Sequence, residues 1–520
     1  MARPTSLAPI HHQRRAYEWL QECGRAAAHV RLAEAGALGA LDLLDALRSP
    51  MNLRNGAALA ALARDGHAPW PSVRPRDLVL VARMRLYQGK RMLSQARRDL
   101  LARVHRVAGQ PAGRGDVLVL PRLLGHVHDQ MPVALELRRQ GMRVVFALPT
   151  PELVDLPREQ GFEVASLDAV AAGRAPGPLA AHRLQRALER AVGDFADGPT
   201  AARFSARERE VLTVTTQAVL REQVNGLQRV AHGLDRLLQT LTPTLLLIGN
   251  PYTIEGRAAA MLARARGIRS AALEHGSTFP DDPIWRDCLV DLVCACGAPS
   301  RRALLSCGVA DSAIAVTGAP RLDAVIQRRS QAQPASILVA TSGAGDQVSA
   351  ETHAHFIEWL YAASETAPEV RWVVKLHLKD PPALYAEASA RHPRARIEIV
   401  LPDSRRFGAD IFDYLRGARA LVTVCSTTAL DAMVVGVPVI AVEPGPIPRG
   451  VEFLERGCTR SARDATELAY QARRAWAEEA VPGVDEAARA YAAEHHVNLG
   501  SAATAVAQHL RQLLEARARG

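Results

Sequence analysis

The sequence predicts an α/β protein of two parallel-sheet domains facing a cleft, with a helical region ahead of them. Three observations carry this. Short β-branched runs alternate with helical patterns through residues 113–330 and again through 335–520, the pattern of βαβ units. A polar, unpatterned stretch, Arg328–Pro334, separates the two sets. The chemically distinctive loops all follow strands, on the sheet edge where open α/β folds bind ligands.

At 520 residues the chain has room for two or three cores. Its 48% hydrophobic and 23% charged residues are those of a globular protein. The longest apolar region, Ala420–Val442, carries Ser426, Thr427, Thr428 and Asp431, so it reads as buried α/β structure and not as a membrane span. His11, His12, Arg14 and Arg15 stand where a secretory signal needs its apolar core. The seven Cys are irregularly spaced and read as reduced, buried thiols. A cytoplasmic location is expected. The net charge of +10 suits an acidic partner such as nucleotide phosphate or anionic lipid. With only 4% aromatic residues there is little to stack bases, so nucleic acid is not expected as a partner.

Residues 1–112 read as a basic helical region, with helical spacing through Ala26–Leu47 and Leu78–Val107. The second stretch, 78–107, carries Arg83, Arg85, Lys90, Arg91, Arg97, Arg98, Arg103 and Arg106. It is either a peripheral contact with the anionic inner face of the cytoplasmic membrane or a solvated helix face. The first domain, 113–330, opens with the strand Asp116–Leu120, a loop through 121–130, a helix from Met131 to Gln140, and strands at Arg143–Leu148 and Phe162–Leu167. A helical insert occupies about 178–240, broken at Gly198-Pro199. Strands follow at Thr244–Ile248, Ser270–Leu273, Leu289–Ala295 and Ile314–Val316. The second domain, 335–520, has strands at Ser336–Ala340, Arg371–Leu376, Ile397–Val400, Leu421–Val424 and Val439–Val442, then a helical tail, Val484–Arg517. Two Rossmann-like halves of this kind place a cleft between the carboxyl edges of their sheets.

Each half brings different chemistry to that cleft. In the second, Ser426, Thr427 and Thr428 open a helix, where unpaired N–H groups and the dipole favour a phosphate. The competing reading of Ser426 is a plain N-cap. Thr341, Gly343 and Gly345 form another loop of small residues. Only three of the 64 basic residues are Lys, and two of them, Lys375 and Lys379, flank His377. Lys375 suits a phosphate as a point charge. The first half offers His126, Asp129, Glu274 and His275. A loop His such as His126 has the right basicity for a general base, the alternative being a structural ring. Asp129 is placed to orient it, Glu274 is an alternative base, and Asp323 reads as a helix cap. No Asp-x-Asp pair is present in the cleft halves, and Asp281-Asp282 are adjacent. A bound phosphate is therefore expected to be neutralised by the helix terminus and Lys, with no metal or cofactor.

The run from Gly125-His126-Val127-His128-Asp129 to Gly141-Met142-Arg143-Val144 resembles the opening glycine-histidine loop and helix of GT-B glycosyltransferases. That resemblance implies that His126 deprotonates the acceptor. Four further motifs occur in order: Leu273-Glu274-His275-Gly276, Thr317-Gly318-Ala319-Pro320-Arg321-Leu322-Asp323, Val374-Lys375-Leu376-His377, and Ser426-Thr427-Thr428-Ala429-Leu430-Asp431 with Gly436-Val437-Pro438. Together they are similar to bacterial surface-polysaccharide and CDP-glycerol-type transferases and to the UDP-N-acetylglucosamine 2-epimerase superfamily. The resemblance implies a GT-B fold and a nucleotide sugar held by Lys375, His377 and Ser426–Thr428, with Asp431 on its ribose. His275 is placed at the acceptor or the leaving phosphate. The expected activity is sugar transfer to a glycan, lipid-linked or protein acceptor. The alternatives are a nucleotide-sugar 2-epimerase and a non-catalytic nucleic-acid-binding or scaffold protein.

Overall fold

The computed structural model describes residues 10–30, 41–65, 116–149, 153–167, 170, 178–276, 278, 280, 283–327, 335–344, 348–377, 380–402, 411–445 and 452–518. The basic stretch 78–107, the separating stretch 328–334, Gly345, Lys379 and Asp281-Asp282 lie outside the described residues.

The first sheet contains β1 (Val117–Leu120), β2 (Val144–Leu148), β3 (Glu163–Ser166), β4 (Leu245–Ile248), β5 (Arg269–Leu273), β6 (Leu292–Ala295) and β7 (Ile314–Val316). Their order is β3-β2-β1-β4-β5-β6-β7, and every pairing is parallel. The central strands are apolar at nearly every position because both faces are covered. Alternate residues feed two cores: Leu118, Leu120, Leu246 and Ile248 on one side, Val117, Val119, Leu245 and Leu247 on the other. The order reverses between β1 and β4, the switch point where such sheets bind ligands.

The described N-terminal helices are part of this domain, which corrects their reading as a separate region. Ile10–Ala26 and Arg48–Asp65 pack with the insert helices Pro178–Asp197 and Ala206–Leu241. Trp19 is fully buried, with its ring edge-on to Phe195 at 4.8 Å and to Phe204 at 5.3 Å. Both belong to the core that covers one face of the first sheet.

The second sheet contains β8 (Ser336–Ala340), β9 (Trp372–Lys375), β10 (Ile397–Val400), β11 (Ala418–Thr423), β12 (Val439–Val442) and β13 (Arg460–Ala462), in the order β10-β9-β8-β11-β12-β13. All its pairings are parallel too. Its switch point lies between β8 and β11, so Thr341 and Ser426 end neighbouring strands. This is the two-domain α/β architecture expected of the GT-B fold.

The tail is not one helix. Pro482–His495 packs on the second domain, with Tyr491 and Ala492 in its core. Ala502–Ala518 returns to the first, where Val506, Ala507 and Leu510 are fully buried. The chain therefore crosses between domains a second time at residues 496–501. Asp323 fixes that return. Its carboxylate accepts from the N–H groups of Ala502 at 3.0 Å and Ala503 at 2.8 Å. It is a helix cap, as expected, but of the C-terminal helix and not of its own.

Candidate functional site

The stretch expected to be a loop is helical from Leu124, so His126 and Asp129 are three residues apart on one helix face. Leu123 precedes the helix in extended conformation. Leu124 is the first apolar residue of the helical face, and the two His within the first five residues masked the pattern in the sequence. His126 packs against the switch-point residue Gly249, where an added Cβ would come within 2.8 Å of the His126 Cβ. The His126 ring is 1% exposed. Its Nδ1 accepts from the Arg122 N–H at 3.1 Å, which leaves the proton of the neutral ring on Nε2. Burial, with His275 adding to it, pushes its pKa down to about 3. His126 therefore does not present a free basic nitrogen to the cleft.

His275 occupies the place expected for His126. Its ring lies edge-on to His126 at a centroid distance of 4.3 Å, and its side chain is 37% exposed. Asp129 Oδ2 lies 2.8 Å from its Nδ1. The carboxylate accepts, so Nδ1 carries the proton and Nε2 keeps its lone pair. Burial opposes the Asp129 charge, but the His275 hydrogen bond and the Arg321 guanidinium outweigh it and hold the carboxyl below its usual range. Asp129 thus orients a histidine, as expected, but that histidine is His275. Glu274 is spent on structure: its oxygens accept from the Cys296 N–H at 2.7 Å and the Thr278 hydroxyl at 2.6 Å.

Arg321, from the Thr317–Asp323 motif, crosses the cleft. Its Nε lies 3.4 Å from Asp129 of the first domain and its Nη1 2.7 Å from Asp431 of the second. Asp431, expected on the ribose, is thus held by an arginine in this conformation. The two carboxylates raise the guanidinium pKa despite burial. Beside this bridge Thr427 and Leu430 face Glu274, Gly276 and Pro320 across a crevice of about 30 Å³, room for roughly two water molecules.

In the second domain the hydroxyl cluster divides its work. Ser426 Oγ accepts from the Thr428 N–H at 3.2 Å and pairs with its hydroxyl at 3.0 Å, so Ser426 turns back on the helix start, but the N-cap position itself is Thr427, whose side chain makes no capping bond. Thr427 is exposed at the crevice. The helix Thr428–Val434 spans seven residues, too short for much of a dipole. Thr341 is buried, and its hydroxyl donates to Asp380 and accepts from the His377 N–H at 2.8 Å. Asp380 also accepts from that N–H at 2.8 Å and pairs with His353 Nε2 at 2.8 Å. This buried knot ties the end of β8 to the loop after β9, placing Lys375 and His377. Gly343 turns the neighbouring loop at φ +66°, a conformation costly for a residue with a Cβ.

Arg321, Asp380 and His496 are missing from the sequence-derived candidates. Arg321 sat inside a recognised motif. Asp380 follows the Lys-x-His-x-Lys run closely enough to be found. For His496 the signal was the Asn498-Leu499-Gly500 break in the tail.

The family model described as "Putative glycosyltransferase (DUF6716)" matches residues 298–481. No curated protein matches the sequence. Among solved structures, a "putative UDP-N-acetylglucosamine 2-epimerase" from Listeria monocytogenes is similar, with TM-score 0.51 and 15% identity, covering 77% of this chain and 97% of that one. A UDP-GlcNAc 2-epimerase from Neisseria meningitidis bound to UDP-GlcNAc has TM-score 0.50 and 14% identity over 76% of this chain and 100% of its own. The MnaA–UDP structure from S. aureus has TM-score 0.50 and 13% identity over 77% and 97%. At these identities the likeness is one of fold. The matched family segment spans the Arg321 motif, the Lys375–His377 loop and the hydroxyl cluster, all on or beside the second-domain wall of the cleft.

Proposed function

We propose that the protein is a glycosyltransferase that moves a sugar from a nucleoside-diphosphate sugar to a surface-glycan, lipid-linked or glycoprotein acceptor. The observation that carries this is the His275–Asp129 pair. It sets an exposed, Nδ1-protonated imidazole on the first-domain wall, against the Asp129 carboxylate that lines the same crevice as Thr427. A sugar hydroxyl is a weak nucleophile, and a positioned base that takes its proton in the transition state speeds attack. His275 Nε2 is that base in this reading. Asp129 holds the tautomer and stabilises the imidazolium that forms, while His126 supports the ring from behind. On the leaving side Arg321, Lys375 and Thr427 meet the negative charge that grows on the diphosphate. The family match over residues 298–481 supports transfer.

The rival reading is 2-epimerisation, the activity named for the Listeria and Neisseria structures. Incubation with UDP-GlcNAc alone, followed by NMR, separates the two. A C2 epimer formed without acceptor would replace the transferase reading. Under that reading, donor-dependent glycosylation of an acceptor pool should fall roughly 10²–10⁴-fold in His275→Asn, the usual share of general-base catalysis. Donor affinity should stay within a few-fold. Turnover near wild type would remove His275 from the reaction.

A further inference from the structure

His496 sits where the chain crosses back to the first domain, and its surroundings are built. The backbone on either side is pinned: the His496 N–H donates to Ala492 O at 2.9 Å and the Val497 N–H to Cys296 O at 3.1 Å. Two residues on, the Asn498 side chain donates to Thr317 O at 3.2 Å. The side chain is held just as firmly, yet it has no protein partner. The residue is 5% exposed, and neither ring nitrogen makes a hydrogen bond. The ring lines the crevice beside Arg321, Cys296 and Thr427. A buried donor and a buried acceptor left unsatisfied destabilise the fold, and such groups in native proteins mark a function or a bound molecule.

We propose that His496 is a ligand of the donor's diphosphate, delivered by the crossover and working with Arg321. This rests on the transferase reading and adds to it a contact that no comparison assigns. The chemistry of the surroundings selects the ligand. Arg321 is a fixed cation beside the ring, while the carboxylates of Asp129, Glu274 and Asp431 already have partners. An anionic, oxygen-rich group therefore fits better than a cation or an apolar one. Arg321 also lowers the basicity of the ring, after burial itself, so that its pKa falls to about 3. A phosphate between them would reverse that influence and accept the ring N–H. The backbone around His496 is bonded to the second-domain helix through Ala492 and to the first domain through Cys296, so the ring is held where the two domains meet, beside Arg321. A neutral donor and a guanidinium thus face one phosphate.

The test uses the full-length protein with inorganic pyrophosphate and UDP as probes. His496→Leu keeps the volume and removes the unsatisfied nitrogens. It should melt at or above the wild-type temperature while binding pyrophosphate at least tenfold more weakly by calorimetry. In wild-type protein labelled with ¹⁵N-histidine, the His496 ring resonance, identified by its loss in His496→Gln, should shift when pyrophosphate is added. If wild type binds pyrophosphate or UDP but His496→Leu binds within twofold of it, or the ring resonance stays in place, the inference falls and the transferase reading stands. If wild type binds neither pyrophosphate, UDP nor any other nucleoside diphosphate at millimolar concentration, both fall.

Discussion

Asp129→Asn tests the centre of the site, because one carboxylate serves both the proposed base and the interdomain bridge. Its side chain is 9% exposed, with Oδ2 at 2.8 Å from His275 Nδ1 and Oδ1 at 3.4 Å from Arg321 Nε. Asparagine keeps the shape and loses the charge. Its amide can donate to Nδ1 as readily as accept from it, and donation moves the ring proton to Nε2, where no base remains. Loss of base catalysis lowers turnover by about 10²–10⁴-fold, or roughly 3–5 kcal/mol of barrier. Arg321 keeps Asp431 as partner, so the stability cost stays near the low end of that for breaking a buried pair, about 2–3 kcal/mol. For a domain of this size that is a fall in Tm of roughly 5–10 °C. Steady-state kinetics with the identified donor, donor calorimetry and a thermal melt are the assays. Turnover within threefold of wild type would refute the orientation of His275 by Asp129. Unchanged turnover with a large fall in Tm would make Asp129 a structural bridge alone.

Two further outcomes follow from the buried groups. Lowering the pH should destabilise the protein partly through His126. Its folded pKa of about 3 lies below the ordinary value of 6.5, so the unfolded chain takes up a proton that the folded ring refuses. That contribution is complete above pH 6.5 and is lost as pH falls from 6.5 toward 3. It amounts to about 1.4 kcal/mol per pH unit, or about 2 kcal/mol by pH 5. Melts of wild type and His126→Gln at pH 7.5 and 5 should diverge accordingly, and parallel profiles would show that the ring already titrates in the fold. Deleting residues 1–65 should strip Trp19, Leu47 and Met51, all fully buried, from the first domain's core. The product should aggregate or bind a hydrophobic dye, whereas a soluble, monodisperse remainder would show that the helices are dispensable.

The sheets were legible in the sequence because a parallel strand covered on both faces must be apolar at nearly every position, and such runs survive any local noise. Val117–Leu120, Leu245–Ile248 and Val439–Val442 are of this kind. The cleft was legible for a related reason: polar residues directly after such runs can only gather at the carboxyl edge. What pattern could not decide was which of several residues at that edge faces inward. His126 and His275 have the same chemistry and both follow strands. They differ because Gly249, 123 positions beyond His126, leaves room for one ring to sink. The division among Ser426, Thr427 and Thr428 was hidden similarly, since it depends on which hydroxyl turns back to its own backbone. His496 was the least legible of all. It lies between two Ala-rich helices parted in the sequence only by the Asn498-Leu499-Gly500 break, and its chemistry arises only because Asp323, 173 residues earlier, caps the returning helix and sets the crossover against Arg321. The residues that periodicity placed build walls, and those it missed are held by contacts across the chain. For that reason a test confined to Lys375 and Thr427, with Arg321 and His496 left alone, would examine only the second-domain wall of the proposed phosphate site.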